Sequence, residues 1–358
     1  MLNELRRFLP LAEKLRARNP TLSILNYMAV RDGRLMITDL ENWLAIPVED
    51  EREYTLPIDV VKQVLKSRPG EIEIDVQADQ HLEIHYGHHT LGCQYLDAAE
   101  YPAWPNALLA KLGSWTGAMI LQLHRQLNHA SADELKPALQ GVWVKQQPGR
   151  LQSCATDGHT LEYIENLDPG QTGEITRDFE GILPPKCLQI LTKFPIERTH
   201  VAAGAHFIQF YLPHYLVLLS RLVDETFPDF QSILRSDNPN ELTLLKGDLQ
   251  RAILAALPFA QKESHVASLA VRNGTIQLAV QDHERQFSFA TAIVHRGHSG
   301  TDYDVGFNLQ LLQKTLAGLA GDEILWKYRD GHSANLFIGQ PDNGKSNLLM
   351  PVRLEEES

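Results

Sequence analysis

The sequence predicts an α+β fold made of three copies of one unit, and three observations carry that reading. The chain has 358 residues, enough for two or three domains that each bury a core. A strand followed by a polar bend recurs in residues 34–46, 151–161 and 275–290, with Asp39, Asp157 and Asp282 at the bends, 118 and 125 residues apart. A second helix in each copy begins at Pro57, Pro184 and Phe307, at intervals of 127 and 123. A period of domain size, carried by helices as well as strands, makes three copies of one α+β unit the simplest account. The divisions are residues 1–108, 109–238 and 239–358.

Taken in order, residues 3–18 form a basic amphipathic helix, with Leu5, Leu9, Ala12 and Leu15 near helical spacing and Pro10 inside it. Short apolar runs follow, with Asp32-Gly33 as the tight hairpin between two of them. A helix from Pro57 stops at Pro69-Gly70, and strands resume through residue 96. The second copy has a helix over residues 114–130, strands at 141–145 and 151–155, a helix from Pro184 and strands to residue 223. The third has helices over 246–262 and 307–319, and its strands end with the last apolar run, residues 347–354. In the middle bend, Thr156-Asp157-Gly158, an aspartate bonds the backbone two residues on and a glycine tolerates positive φ.

Composition is that of an ordinary globular protein, 43% hydrophobic and 22% charged. No run of eighteen apolar residues occurs and the first eighteen residues are too charged for a signal peptide, so the expected location is cytoplasmic, with no membrane partner. Cys93, Cys154 and Cys187 are far apart and include no CxxC pair; they are expected to be buried free thiols. A net charge of −12 argues at first against nucleic acid, because phosphates need local positive charge. Its distribution reverses the argument. The six helical stretches, residues 4–18, 57–68, 114–130, 184–194, 246–262 and 307–319, hold fifteen Lys and Arg against four acids, leaving −23 for the rest. Helices that all face one way would build a basic surface on an acidic molecule. The basic residues placed on it are Arg6, Arg7, Lys14, Arg16, Arg18, Lys62, Lys66, Arg125, Lys186, Lys193, Arg251 and Lys314.

With these residues in view, the chain resembles the bacterial sliding clamp, the β subunit of DNA polymerase III, along nearly its whole length. The matching strings are NPTLSILNYM (19–28), LDAAEYP (96–102), ATDGHTL (155–161), SRLVDETFPDF (220–230), DVGFN (304–308) and MPVRL (350–354). The resemblance implies three clamp domains per chain, a head-to-tail ring of two chains with helices lining the hole, and a non-enzymatic processivity factor. Implied partners are duplex DNA without sequence preference, a replicative polymerase, a clamp loader and repair proteins; no cofactor is implied. It also implies a hydrophobic pocket for short peptides, formed by Leu139, Thr156, Gly158, His159, Leu161, Pro228, Ile233, Leu348, Leu349, Met350, Pro351, Val352, Arg353 and Leu354. The subunit contact would pair Leu91 and Cys93 with Phe259 and Ala260.

Four departures stand out. Thr160 and Ser232 occupy places where the family usually has basic residues, Glu355 to Ser358 follow the usual last residue, and Met1 lies almost at the first helix, where the family has a strand first. Other constellations are weaker. His85, His88 and His89 alternate faces on a strand with no carboxylate or cysteine completing a set in sequence, so no metal is expected. Asp157 and His159 lack a nucleophile spaced for catalysis, and no phosphate-binding glycine motif occurs. The alternative function is an interaction module that keeps the fold and pocket without closing into a DNA-loaded ring.

Overall fold

The computed structural model describes residues 1–16, 20, 22–77, 79–165, 173–234, 238–272 and 274–354. Arg18 and the tail, residues 355–358, lie outside the described residues. The chain forms two compact units: Met1–His124 with Gln147–Gly149 and Pro169–Asp224, and Arg125–Gln146 with Arg150–Asp168 and Glu225–Ser358. Residues 109–238 therefore contribute to both, and compactness does not follow the three sequence repeats.

Each repeat nevertheless supplies a pair of helices: α1 (Leu2–Leu15) and α2 (Ile58–Lys66), α3 (Gly117–Gln126) and α4 (Pro185–Leu191), α5 (Lys246–Ala256) and α6 (Leu309–Ala317). Helix α1 buries Leu5, Phe8, Leu9, Ala12 and Leu15 along one stripe and runs on through Pro10. Glu4 in its first turn lies 2.8 Å from the Met1 ammonium, and acid in a first turn suits the helix dipole. The sequence reading of one helix over 114–130 is corrected. Ala110–Thr116 is a strand that buries Trp115 and pairs with Arg198–Ala203, a conformation that suits aromatic and β-branched side chains. The helix starts at Gly117, where a Cβ would lie 1.9 Å from the Ile196 carbonyl oxygen.

In the first unit eight antiparallel strands run in the spatial order Tyr54–Pro57, Tyr27–Arg31, Arg34–Thr38, Asn42–Pro47, Val217–Arg221, Phe207–Tyr211, Arg198–Ala203, Ala110–Thr116. Glu73–Val76, His81–Tyr86 and His89–Gln94 make a separate three-stranded sheet. In the second unit Thr160–Glu165 pairs with the last strand, Lys345–Leu349, and the third repeat includes a thirteen-residue strand, Phe287–Ser299. Its core gathers Trp326, Phe337 and Phe307 with Leu309, Leu312 and Leu316 of α6. A large apolar cluster of this kind holds α6 in place, which matters below.

Two joints have the same backbone plan. Asn42–Pro47 of the first repeat pairs with Val217–Arg221 of the second, and Thr160–Glu165 of the second pairs with Lys345–Leu349 of the third. Ser220 faces Asn42 as Leu349 faces Thr160. The next amide also matches: Arg221 donates to the Glu41 carbonyl at 2.7 Å and Met350 to that of His159 at 2.9 Å. Two residues later Val223 donates to Ile182 and Val352 to Gly306, at 3.0 and 2.8 Å. The sequence repeat is thus a repeat of hydrogen bonds.

Candidate functional site

The middle bend is built by Asp157. One carboxylate oxygen accepts the amides of His159 (2.9 Å) and Thr160 (2.6 Å), and the other accepts the Thr160 hydroxyl (3.0 Å) and the Lys314 ammonium (2.7 Å). Burial pushes this carboxyl up, but Lys314 and the two amides outweigh it and hold it below the usual value. Both oxygens are committed to structure, which argues against the acid–base role considered for Asp157. Gly158 follows with φ +89°, a region costly to side chains. Asp39 repeats the device in the first unit: it accepts the amides of Glu41 (3.1 Å) and Asn42 (2.6 Å), and Lys186 of α4 lies 2.6 Å away.

Beyond the middle bend the expected pocket residues gather along one strand pair. Leu161 faces Leu348 across the ladder, Thr156 faces Leu161, and Met350 bonds to His159. Leu161, Leu348 and Leu349 are buried, Pro351 and Val352 half-buried, and Met350, Arg353 and Leu354 exposed. The loop with Pro228 and Ile233 is anchored by aromatic residues that the sequence reading did not single out. Phe230 packs on Trp143 (5.1 Å between ring centres) and on Tyr163 (5.4 Å), and Phe227 stacks on Trp143 at 6.2 Å. Pro228 and Ile233 stay exposed on this anchored loop. Leu139 ends a short 3-10 turn, half-buried, its carbonyl taking the Ser131 amide at 2.8 Å. The result is an apolar rim in which Met350, Leu354, Pro228 and Ile233 are exposed beside the buried Leu161 and Leu348, the kind of surface that accepts hydrophobic anchors.

The opposite face of the same strand pair is polar. Glu162, opposite Asn347, is 2% exposed, with Lys345 at 2.9 Å and His129 at 3.7 Å. Gln126 reaches the Glu162 carbonyl at 3.3 Å, and Asn347 donates to the Thr315 carbonyl on α6 at 2.6 Å. Gly318 leaves the room, since a Cβ there would lie 2.7 Å from the Glu162 carboxylate. Burial raises the Glu162 carboxyl, partly offset by Lys345. Burial, then Lys314, lowers His129 to about 4.

Among the expected contact residues, Leu91 and Cys93 are half-buried on His89–Gln94, an end strand of the three-stranded sheet. Phe259, 37% exposed, stacks flat on Phe289 at 5.4 Å and edge-on to Phe287 at 6.1 Å. Ala260 is corrected: at 2% exposure it is buried where the 3-10 turn after α5 closes, its amide bonded to Leu257. The sequence reading missed Phe287 and Phe289. Their strand pairs with Asn240–Leu245 only through residues 295–299, so on that side 287–294 is open among the described residues.

The basic helix residues are differently employed. Arg16 pairs with Asp59 at 2.8 Å, Lys62 with Glu13, Arg251 with Asp248, Lys186 with Asp39 and Lys314 with Asp157, while Arg6 bonds the Pro69 carbonyl at 2.6 Å. Arg7, Lys66 and Arg125 are exposed. Lys14 and Lys193 lie near each other, and both act on His124 of α3. Burial, then Lys193, lowers Lys14; burial, then these two lysines, lowers His124. Two lysines from separate segments, with a histidine beside them, form a place for an anion. Two sequence expectations change elsewhere. Cys93 is half-buried, although Cys154 and Cys187 are buried. His85 does meet carboxylates, because strand register rather than sequence spacing brings Asp75 and Glu83 to it, with ligand atoms within 4.8 Å of one another. Asp75 of this trio is exposed and Glu83 and His85 are half-buried, and nothing else among the described residues marks it as a metal centre.

No family model matches the chain. It is 24% identical over 315 residues to the beta sliding clamp of Caulobacter vibrioides, covering 84% of this chain and 82% of that protein. Against the beta sliding clamp of Pseudomonas aeruginosa identity is 24% over 354 residues, 94% of each. The structure superposes on the DNA polymerase sliding clamp of Bacillus subtilis with a TM-score of 0.85 and 21% identity, over 98% of both chains. The chain is thus a divergent relative of bacterial β clamps and has their fold.

The lowered His129 gives a stability test. Its folded value, about 4, lies below the ordinary 6.5, so the unfolded chain binds the extra proton. Stability from this group is present above about pH 6.5 and is lost as pH falls toward 4, up to about 3 kcal/mol. Urea unfolding from pH 7 to 4.5 should show this decline, and His129→Asn should flatten it. An unchanged slope in the variant would place the acid sensitivity elsewhere.

Proposed function

We propose that this divergent relative of the bacterial β sliding clamps is a DNA polymerase processivity factor: two chains close head to tail around duplex DNA, and the rim at Leu161, Leu348 and Met350 tethers a polymerase and other replication or repair proteins by short peptides. A clamp loader would supply the energy for opening, and the chain itself would carry no catalytic step. The three sequence repeats, residues 1–108, 109–238 and 239–358, would be the three clamp domains.

The observation that carries the ring is an unused third joint. Thr38 and Thr156, just before the bend aspartates, face Trp43 and Leu161; Gln281, just before Asp282, faces Ser288. Ser288 therefore takes the place of Trp43 and Leu161, and Phe287 that of Asn42 and Thr160. On the receiving side, Cys93 faces Leu82 as Ser220 faces Ile208 and Leu349 faces Asn335. Three residues on, the Leu96 amide bonds the Thr55 hydroxyl at 2.9 Å, where the other repeats use the carbonyls of Ile182 and Gly306. The third joint of one chain, made with the first repeat of a second, then sets Phe287 opposite Cys93 and Phe289 opposite Leu91. Such a heterologous contact closes if its rotation brings the ends together, and it covers two open strand edges that would otherwise invite aggregation.

This register is directly testable. Phe287→Cys should form a disulfide with the native Cys93 of a second chain under mild oxidation, giving a covalent dimer on a non-reducing gel. Cys154 and Cys187 are buried, so the unsubstituted chain should stay uncrosslinked. A dimer that forms in solution but does not crosslink would put the contact in another register.

Phosphate contact through the helices fixes no register, so a ring can slide while topology retains it. A phosphate beside Lys14, Lys193 and His124 would draw a proton back onto His124. Affinity for a short linear duplex at low salt should therefore rise as pH falls from 8 to 6, and His124→Gln should remove that dependence while leaving affinity at pH 8 nearly unchanged. Fluorescence anisotropy of a labelled linear duplex reads both; equal pH dependence in the variant would exclude His124 from the contact.

A further inference from the structure

Lys314 was counted among cations available to DNA, yet its ammonium is bound at the bend that borders the peptide rim. The path is short and complete. Lys314 holds one oxygen of Asp157 at 2.7 Å, and the other oxygen holds the amides of His159 and Thr160. The carbonyl of His159 in turn receives the Met350 amide at 2.9 Å. At its other end Lys314 rises from α6, whose Leu309, Leu312, Thr315 and Leu316 are buried. The helix cannot follow the bend if the bend moves.

We propose that Lys314 is a positioning residue of the peptide site: it ties the His159 and Met350 side of the rim to the packed α6, so that the rim is shaped before a peptide arrives. The role rests on reading that rim as the peptide site. An aspartate left without its cation would keep its two amide bonds but lose the tether that fixes where the bend stands. Bend, His159 and Met350 would then sample positions that a peptide must pay to order. The first joint supplies an internal control, since Asp39 and Lys186 repeat the same ion pair at 2.6 Å. There Leu161 is replaced by Trp43 and Met350 by Arg221, whose guanidinium lies over Phe207 at 5.4 Å and beside Glu41 at 3.4 Å. That joint has the tether without the apolar rim.

The experiment uses the full chain and a synthetic peptide carrying a Gln followed by a Leu/Phe hydrophobic pair, titrated calorimetrically, with thermal unfolding measured on every variant. Lys314→Met should weaken peptide binding roughly fivefold to tenfold, the scale of one ordinary hydrogen bond, because the lost tether acts on the peptide only through the bend. Lys314→Arg should recover most of it. Lys186→Met should lower the melting temperature about as much as Lys314→Met and leave peptide affinity unchanged. The proposal is overturned if Lys314→Met binds like the parent chain, or if Lys186→Met weakens binding equally, since that would show general destabilisation. A parent chain that takes no peptide, with Met350→Ala identical to it, overturns the pocket reading itself and is told apart by that comparison.

Discussion

The structure depends on one antiparallel pairing, in which the strand after a bend in one repeat lies against the last strand of the next. A strand edge with exposed amides and carbonyls invites pairing with another chain. At the two joints within the chain each such edge is met by a strand of fixed register. The bend aspartate supplies the accuracy. By accepting two amides of its own turn and a lysine from a packed helix, Asp39 or Asp157 fixes where the pairing strand begins. A slip of one residue would turn every side chain on that strand to the other face.

One backbone plan is put to different uses by its side chains. At the first joint Trp43 packs edge-on to Phe207, and Arg221 covers that ring, so the outer face is filled and charged. At the second, Leu161 and Leu348 stand there with Met350 exposed beside them. The inner faces differ in the opposite sense. Leu44, Leu216 and Leu218 at the first joint are buried and apolar, where the second has Glu162, Lys345 and Asn347. A buried ion pair seldom beats a well-packed apolar cluster in stability, so the polar layer is not explained by strength alone. Its register with Leu161 and Leu348 makes it the rigid backing of the exposed rim.

Much of this was legible in the sequence, for identifiable reasons. The bends could be read because Asp, Gly and Thr act locally, through bonds two or three residues away. Helix charge could be counted because it needs no side-chain direction. What could not be read depended on partners distant in sequence. Ala260 looked available next to exposed Phe259, but its burial is decided by the packing of the turn after α5. Lys314 looked free because Asp157 lies 157 residues away. Phe287 and Phe289 went unnoticed because an open strand edge is a property of pairing, and Trp115 was drawn into a helix whose strand partner begins at Arg198.

The central claim is topological, and one measurement addresses it directly. Chains assembled by a clamp loader on a nicked circular plasmid should stay with the DNA through gel filtration at high salt, and should leave within minutes once a restriction enzyme makes the circle linear. Salt screens phosphate contacts but cannot open a link. Loss from the intact circle at high salt, or retention after linearisation, would contradict a ring around DNA.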